Sequence, residues 1–119
     1  MADTDSYTAA VVTATRAAIA EALGITDLDA APTFTPERVG GNHTCLRADL
    51  SDGRTIILSN GDSSATWNAP TDPPTVHLAV FRTDYWDSGD GDDSVNEGIT
   101  ENALDPESIA TAAAQALAP

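Results

Sequence analysis

The sequence predicts an α+β fold, a two-layer sandwich with an N-terminal helix, an antiparallel β-meander of about four to five strands and a C-terminal helix. Three observations carry this. An Ala-rich amphipathic run opens the chain, and a second closes it behind an Asp-Pro start. Between them lie short alternating apolar runs, broken by Gly, Asn and Pro at hairpin spacing.

From Ser6 to Leu23 the pattern is helical. Tyr7, Val11, Ala14, Ala18 and Ala22 lie on or near one stripe, widened by Val12, Ile19 and Leu23. Asp5 or Ser6 is the expected N-cap, and Gly24 before Ile25 reads as a Schellman ending. Residues 25–33 connect to a first strand at Thr33–Val39, where Phe34 is the core anchor and Pro36 demotes the strand to an edge. Gly40-Gly41-Asn42 turns the chain into the central hairpin.

That hairpin, His43 to Gly61, fixes the register of the sheet. A two-residue loop would set Leu50 against Thr55 and Arg47 against Leu58, mixing polar and apolar residues on both faces. A three-residue loop, Ser51-Asp52-Gly53 with Gly53 left-handed, pairs Leu46 with Leu58 and Ala48 with Ile56. One face then carries Leu46, Ala48, Leu50, Ile56 and Leu58. The other carries Cys45, Arg47, Asp49, Thr55, Ile57 and Ser59.

Asn60-Gly61 signals a second turn, into a weak strand at Ser63–Asn68. Residues 69–74 are Pro-rich and form a surface loop. Thr75–Thr83 is the clearest strand, with Val76, Leu78 and Val80 on one side and His77, Ala79 and Phe81 on the other. Asp84–Glu101 holds seven of the nineteen acids and no base, and reads as an exposed acidic loop with a short strand at Ser94–Thr100. Asp105 caps the last helix, Pro106 takes its first position, and Ile109, Ala113 and Leu117 continue its stripe.

Residues 1–119 thus make one small acidic domain. The formal net charge is −14, and all five bases are Arg, the bias of a GC-rich genome or a salt-loving source. Such charge disfavours direct contact with nucleic acid or an anionic membrane, and favours a basic partner. The single Cys45, the acids Asp3 and Asp5 near the N-terminus and the lack of a long apolar run lead us to expect a soluble, cytoplasmic chain. The element order is shared with double-stranded-RNA-binding domains. Those place Lys-rich residues at the start of the last helix, whereas this one starts Asp105-Pro106-Glu107. In its Ala-rich, Lys-free style the chain resembles small proteins of phages infecting GC-rich bacteria.

Metal and cofactor patterns are weak. Asp87, Asp90, Asp92, Asp93, Asn96 and Glu97 offer hard oxygens, but Gly89 and Gly91 fall where a calcium loop needs ligands. His43, Cys45 and His77 lack zinc spacing, and a lone Cys on a sheet is commonly a small apolar residue. No phosphate-binding Gly loop, nucleophile elbow or spaced carboxylate pair stands out, so no enzyme and no cofactor is expected.

The leading expectation is a non-catalytic binding module for a basic protein surface, in one form a phage-type inhibitor or nucleic-acid mimic. Tyr85 and Trp86 would anchor it, and Asp87, Asp90, Asp92 and Asp93 would steer it. The alternative reading of Trp86 is a cap on the core. A second expectation is a virion or oligomer component that self-associates through an apolar sheet face bearing Ile57 and Phe81, with Trp67, Tyr85 or Trp86 nearby and Arg47, Arg54 and Asp49 at the rim. A third is a halophile's housekeeping domain, whose acidity reports only the medium.

Overall fold

In the computed structural model the described residues are 4–39, 43–60, 67, 75–88 and 95–118. The chain forms α1 (Thr4–Leu23), β1 (Thr35–Val39), β2 (His43–Asp49), β3 (Arg54–Ser59), β4 (Val76–Arg82), α2 (Thr83–Ser88), β5 (Asn96–Thr100) and α3 (Pro106–Leu117). The five strands make one antiparallel sheet in the order β1-β2-β3-β4-β5. This is the α+β meander between two helices that the sequence predicts.

The central hairpin has the three-residue register: Leu46 pairs with Leu58 and Ala48 with Ile56. Gly53 sits at φ 88°, a conformation that a Cβ would strain. Pro36 lies in the edge strand β1, and Phe34 is buried just before it. Trp67 belongs to no strand, and β3 pairs directly with β4. The expected turns at 40–42 and 61, the rest of the 63–68 run and the loop at 69–74 lie outside the described residues.

α1 and α3 cover the face built from Leu46, Ala48, Leu50, Ile56, Leu58, Val76, Leu78 and Val80. α1 contributes Tyr7, Val11, Ala18 and Ile19, while Ala22 and Leu23, expected on the stripe, are exposed. Thr15 is buried among these, and its hydroxyl donates to the Val11 carbonyl at 2.7 Å, whereas the buried Tyr7 hydroxyl has no hydrogen-bond partner among the described residues. α1 starts at Thr4, placing Asp5 and Ser6 inside the helix rather than at its N-cap. Its end is a Schellman motif: Ile25 N–H donates to Ala20 O at 2.7 Å, Gly24 N–H to Glu21 O at 3.3 Å. Arg16 then fastens the following connection by donating to the carbonyls of Pro32 at 2.9 Å and Ala31 at 3.2 Å.

α3 lies close on the sheet because the contact is built from small residues. Ala112, Ala113 and Ala116 are buried, and a Cβ on Gly98 of β5 would fall 1.9 Å from the Ala112 carbonyl oxygen. Asp105 caps α3 by accepting from Glu107 N–H at 3.3 Å and from the Ser108 hydroxyl at 3.0 Å.

The acidic stretch differs from expectation at its start. Residues 83–88 form a helical segment of six residues, and not an exposed loop. It is too short to be stable alone, so its contacts with the sheet must hold it. The strand expected at 94–100 is present as β5.

Candidate functional site

The second sheet face is where α2 docks. Strand alternation puts Cys45, Ile57, Ala79 and Phe81 together there, as a small apolar cluster that Trp86 packs against. The Trp86 ring lies tilted on Phe81, with centroids 4.8 Å apart. Thr83 and Trp86 are three residues apart, so both point from α2 towards the sheet. The Thr83 hydroxyl shares a 2.7 Å hydrogen bond with Thr55, and Thr83 N–H donates to Gly53 O at 2.9 Å.

Around this cluster sits one cation among three carboxylates. Arg47 Nη1 reaches Glu37 Oε1 at 2.6 Å and Asp87 Oδ1 at 2.7 Å, and its Nε reaches Asp49 Oδ1 at 2.8 Å. The sheet register explains the first pair: Glu37 pairs with Cys45, two residues from Arg47 on the same face. Glu37 also accepts from the Trp86 indole N–H, and Asp49 from the Thr55 hydroxyl at 2.9 Å. β1, β2, β3 and α2 are thereby joined through one guanidinium.

This arrangement sets the ionisation of the groups in it. Hydrogen bonds from Arg47 hold the Asp49 carboxyl below the usual aspartate range. The hydrogen bonds that Arg47 donates to Asp87 and Asp49 hold it more firmly charged than usual. Burial pushes the Cys45 thiol up to about 11, helped by the Glu37 charge, so it stays a thiol at neutral pH.

Two expected site residues are therefore not surface groups. Ile57 is 0 % exposed and Phe81 is 7 % exposed, because the chain covers its own apolar patch with Trp86 and the carboxylate cluster. The face proposed for oligomer contact is occupied from within. Trp67 is not on it either. It stacks on Tyr7 at 5.6 Å between centroids, donates to the Thr8 hydroxyl at 2.9 Å, and packs against the helix-side core.

What α2 shows to solvent is Asp84, Tyr85, Asp87 and Ser88. Tyr85 is 47 % exposed, with the Arg82 guanidinium 4.5 Å from its ring centroid. Arg82 is in turn paired with Asp84 at 3.2 Å, and Arg54 with Asp52 at 2.7 Å, which lowers the Asp52 carboxyl. Asp52, Gly53, Arg54, Arg82, Thr83, Asp84 and Asp87 line an open cleft of about 590 Å³. Asp90, Asp92 and Asp93 lie outside the described residues.

The structure thus brings Tyr85, Trp86 and Asp87 to one short element and gives them different duties. Tyr85 is displayed, Trp86 is anchored, and Asp87 is bonded to the sheet. Glu37, Thr55 and Thr83, which hold this element in place, were not singled out for it by the sequence. Strand alternation already set Thr55 on one face with Cys45, Arg47 and Asp49, whereas Glu37 and Thr83 carried no such signal.

Among the described residues, no group of three or more His, Cys, Asp or Glu side chains is placed to hold a metal ion. Among the described residues, no helix is long and apolar enough to cross a membrane. No family model, curated protein or solved structure matches the chain.

Proposed function

We propose that the protein is a non-catalytic binding module that occupies a basic surface of another protein with the α2 end of its sheet. One observation supports this above the others: an exposed aromatic, Tyr85, stands between Asp84 and Asp87 on an element pinned to the sheet. Aromatic anchors that lose little freedom on binding are frequent hot spots. Asp90, Asp92 and Asp93 follow within six residues in the sequence and add negative charge next to this segment of the chain. With a net charge of −14, long-range attraction would speed encounter with a cationic partner.

In its narrower form the module is a nucleic-acid mimic, a phage-type inhibitor that blocks a DNA- or RNA-handling protein. It works in the cytoplasm, where a lone buried thiol such as Cys45 stays reduced. Assembly through the Ile57–Phe81 face is not retained as a reading, since those side chains are covered within the chain.

The test is capture from the heparin-retained fraction of a GC-rich bacterial lysate on the immobilised protein. The reading expects a basic protein to be held at low salt, released at high salt, and lost by an Asp84→Asn/Tyr85→Ala variant. Equal capture by that variant, with loss instead on neutralising Asp27 and Asp29 at the opposite end of the sequence, would overturn it.

A further inference from the structure

β5 stands at one end of the strand order, on a different element from Tyr85. Among the described residues, β5 has a neighbouring strand on one side only. An edge strand presents alternate backbone N–H and C=O groups for pairing with another strand. Among the described residues, three of the five exposed large apolar side chains fall within residues 95–104, on this strand or flanking it in sequence: Val95 at 60 %, Ile99 at 58 % and Leu104 at 63 % exposed. The opposite edge, β1, carries Pro36, which offers no N–H.

β5 is also held in shape. Gly98 is locked against the Ala112 carbonyl, and the Asn96 side-chain amide donates to the carbonyls of Gln115 and Ala118 at the end of α3. A strand fixed in this way loses little freedom when another strand joins it.

The side chains along the edge define the occupant. Glu97 and Ile99 share the second sheet face, with Glu97 Oε2 2.7 Å from His77 Nε2, and Glu101 follows two residues after Ile99. An added strand therefore meets an apolar position between two carboxylates.

A second copy of this chain does not satisfy that pattern. Antiparallel self-pairing centred on Gly98 sets Ile99 against Glu97. Centring on Glu97 sets that carboxylate against its own copy, and centring on Ile99 sets Glu97 against Glu101. Like charges directly opposite destabilise a sheet.

We infer that the β5 edge binds an extended segment of a partner protein by strand addition, the segment having the pattern basic–x–apolar–x–basic. Its apolar residue packs on Ile99, and its two cations face Glu97 and Glu101. This inference uses a surface apart from Tyr85, and its test can fail independently of the Tyr85 reading.

The probe is a seven-residue synthetic peptide with lysines two residues either side of a central valine and threonines between them. It is titrated into the ¹⁵N-labelled full chain. Binding should shift and protect the amides of residues 96–101 selectively. Ile99→Lys should weaken it at least tenfold, and Glu101→Lys severalfold, with melting temperatures unchanged because both positions are exposed. Asp84→Asn/Tyr85→Ala should leave it within twofold. No binding at millimolar peptide would overturn the inference. So would shifts spread over the whole acidic surface, equal binding by Ile99→Lys, or equal binding of a peptide with its lysines clustered.

Discussion

Trp86 rests on Phe81 with the two ring centroids 4.8 Å apart, while its indole N–H donates to Glu37 on the far edge strand. That single side chain closes the apolar cluster of the second sheet face and fixes the element that displays Tyr85. Cys45 lies in the same cluster and is 0 % exposed.

Cys45 is therefore a built-in reporter of α2 docking. In the native protein a thiol reagent at pH 8 should label it very slowly, since it is buried and its pKa is pushed up to about 11. Trp86→Ala should lower stability by about 2 kcal/mol, a partial version of a buried aromatic truncation. It should also raise the labelling rate at least tenfold. An unchanged labelling rate would mean that Trp86 does not guard the cluster.

Arg47 is the electrostatic centre of the same junction. Arg47→Met leaves Glu37, Asp49 and Asp87 facing one another without a cation. The expected loss is about 2–3 kcal/mol in urea unfolding, between the values typical of exposed and buried pairs. Arg47→Lys should recover only part of it, because an ammonium cannot serve three carboxylates in a fork geometry.

The pH dependence follows from Asp49. Its folded-state pKa is depressed by Arg47, so the unfolded state binds the proton more readily. Its contribution to stability is complete above the ordinary aspartate pKa of about 3.9, and is lost as pH falls through the lower folded value. Urea midpoints between pH 7 and pH 2.5 should fall in acid, and Asp49→Asn should flatten part of that fall.

Two glycines should respond to alanine for different reasons. Gly98→Ala forces a Cβ to 1.9 Å from the Ala112 carbonyl and should cost about 3 kcal/mol or more by pushing α3 off the sheet. Gly53→Ala meets nothing within 4 Å, and should cost only about 1–2 kcal/mol for its left-handed backbone. Thermal unfolding of the two variants separates close packing from backbone strain.

The parts of this fold that were legible in the sequence are those decided locally. Gly53 and the alternation on either side of it set the register of β2 and β3, and Asp105-Pro106 set the start of α3. α2 was not legible, since six residues give less than two helical turns of pattern and their acids resemble a solvated loop. The burial of Ile57 and Phe81 was hidden for a related reason. It depends on Trp86 reaching Glu37, 49 residues away in sequence, which no local period reports. Trp67 failed in the same way: an isolated aromatic in a connection carries no sign of which face it will meet. Tyr85 lies in the stretch read as exposed and is 47 % exposed, although the helix that presents it was not legible.

The most direct measurement is the association rate of the captured basic partner with the wild-type protein and with an Asp90→Asn/Asp92→Asn/Asp93→Asn variant, across a range of salt concentrations. Charge-steered recognition predicts slower association of the variant at low salt, a shallower salt dependence, and convergence of the two proteins at high salt. Identical rates at low salt would contradict the account.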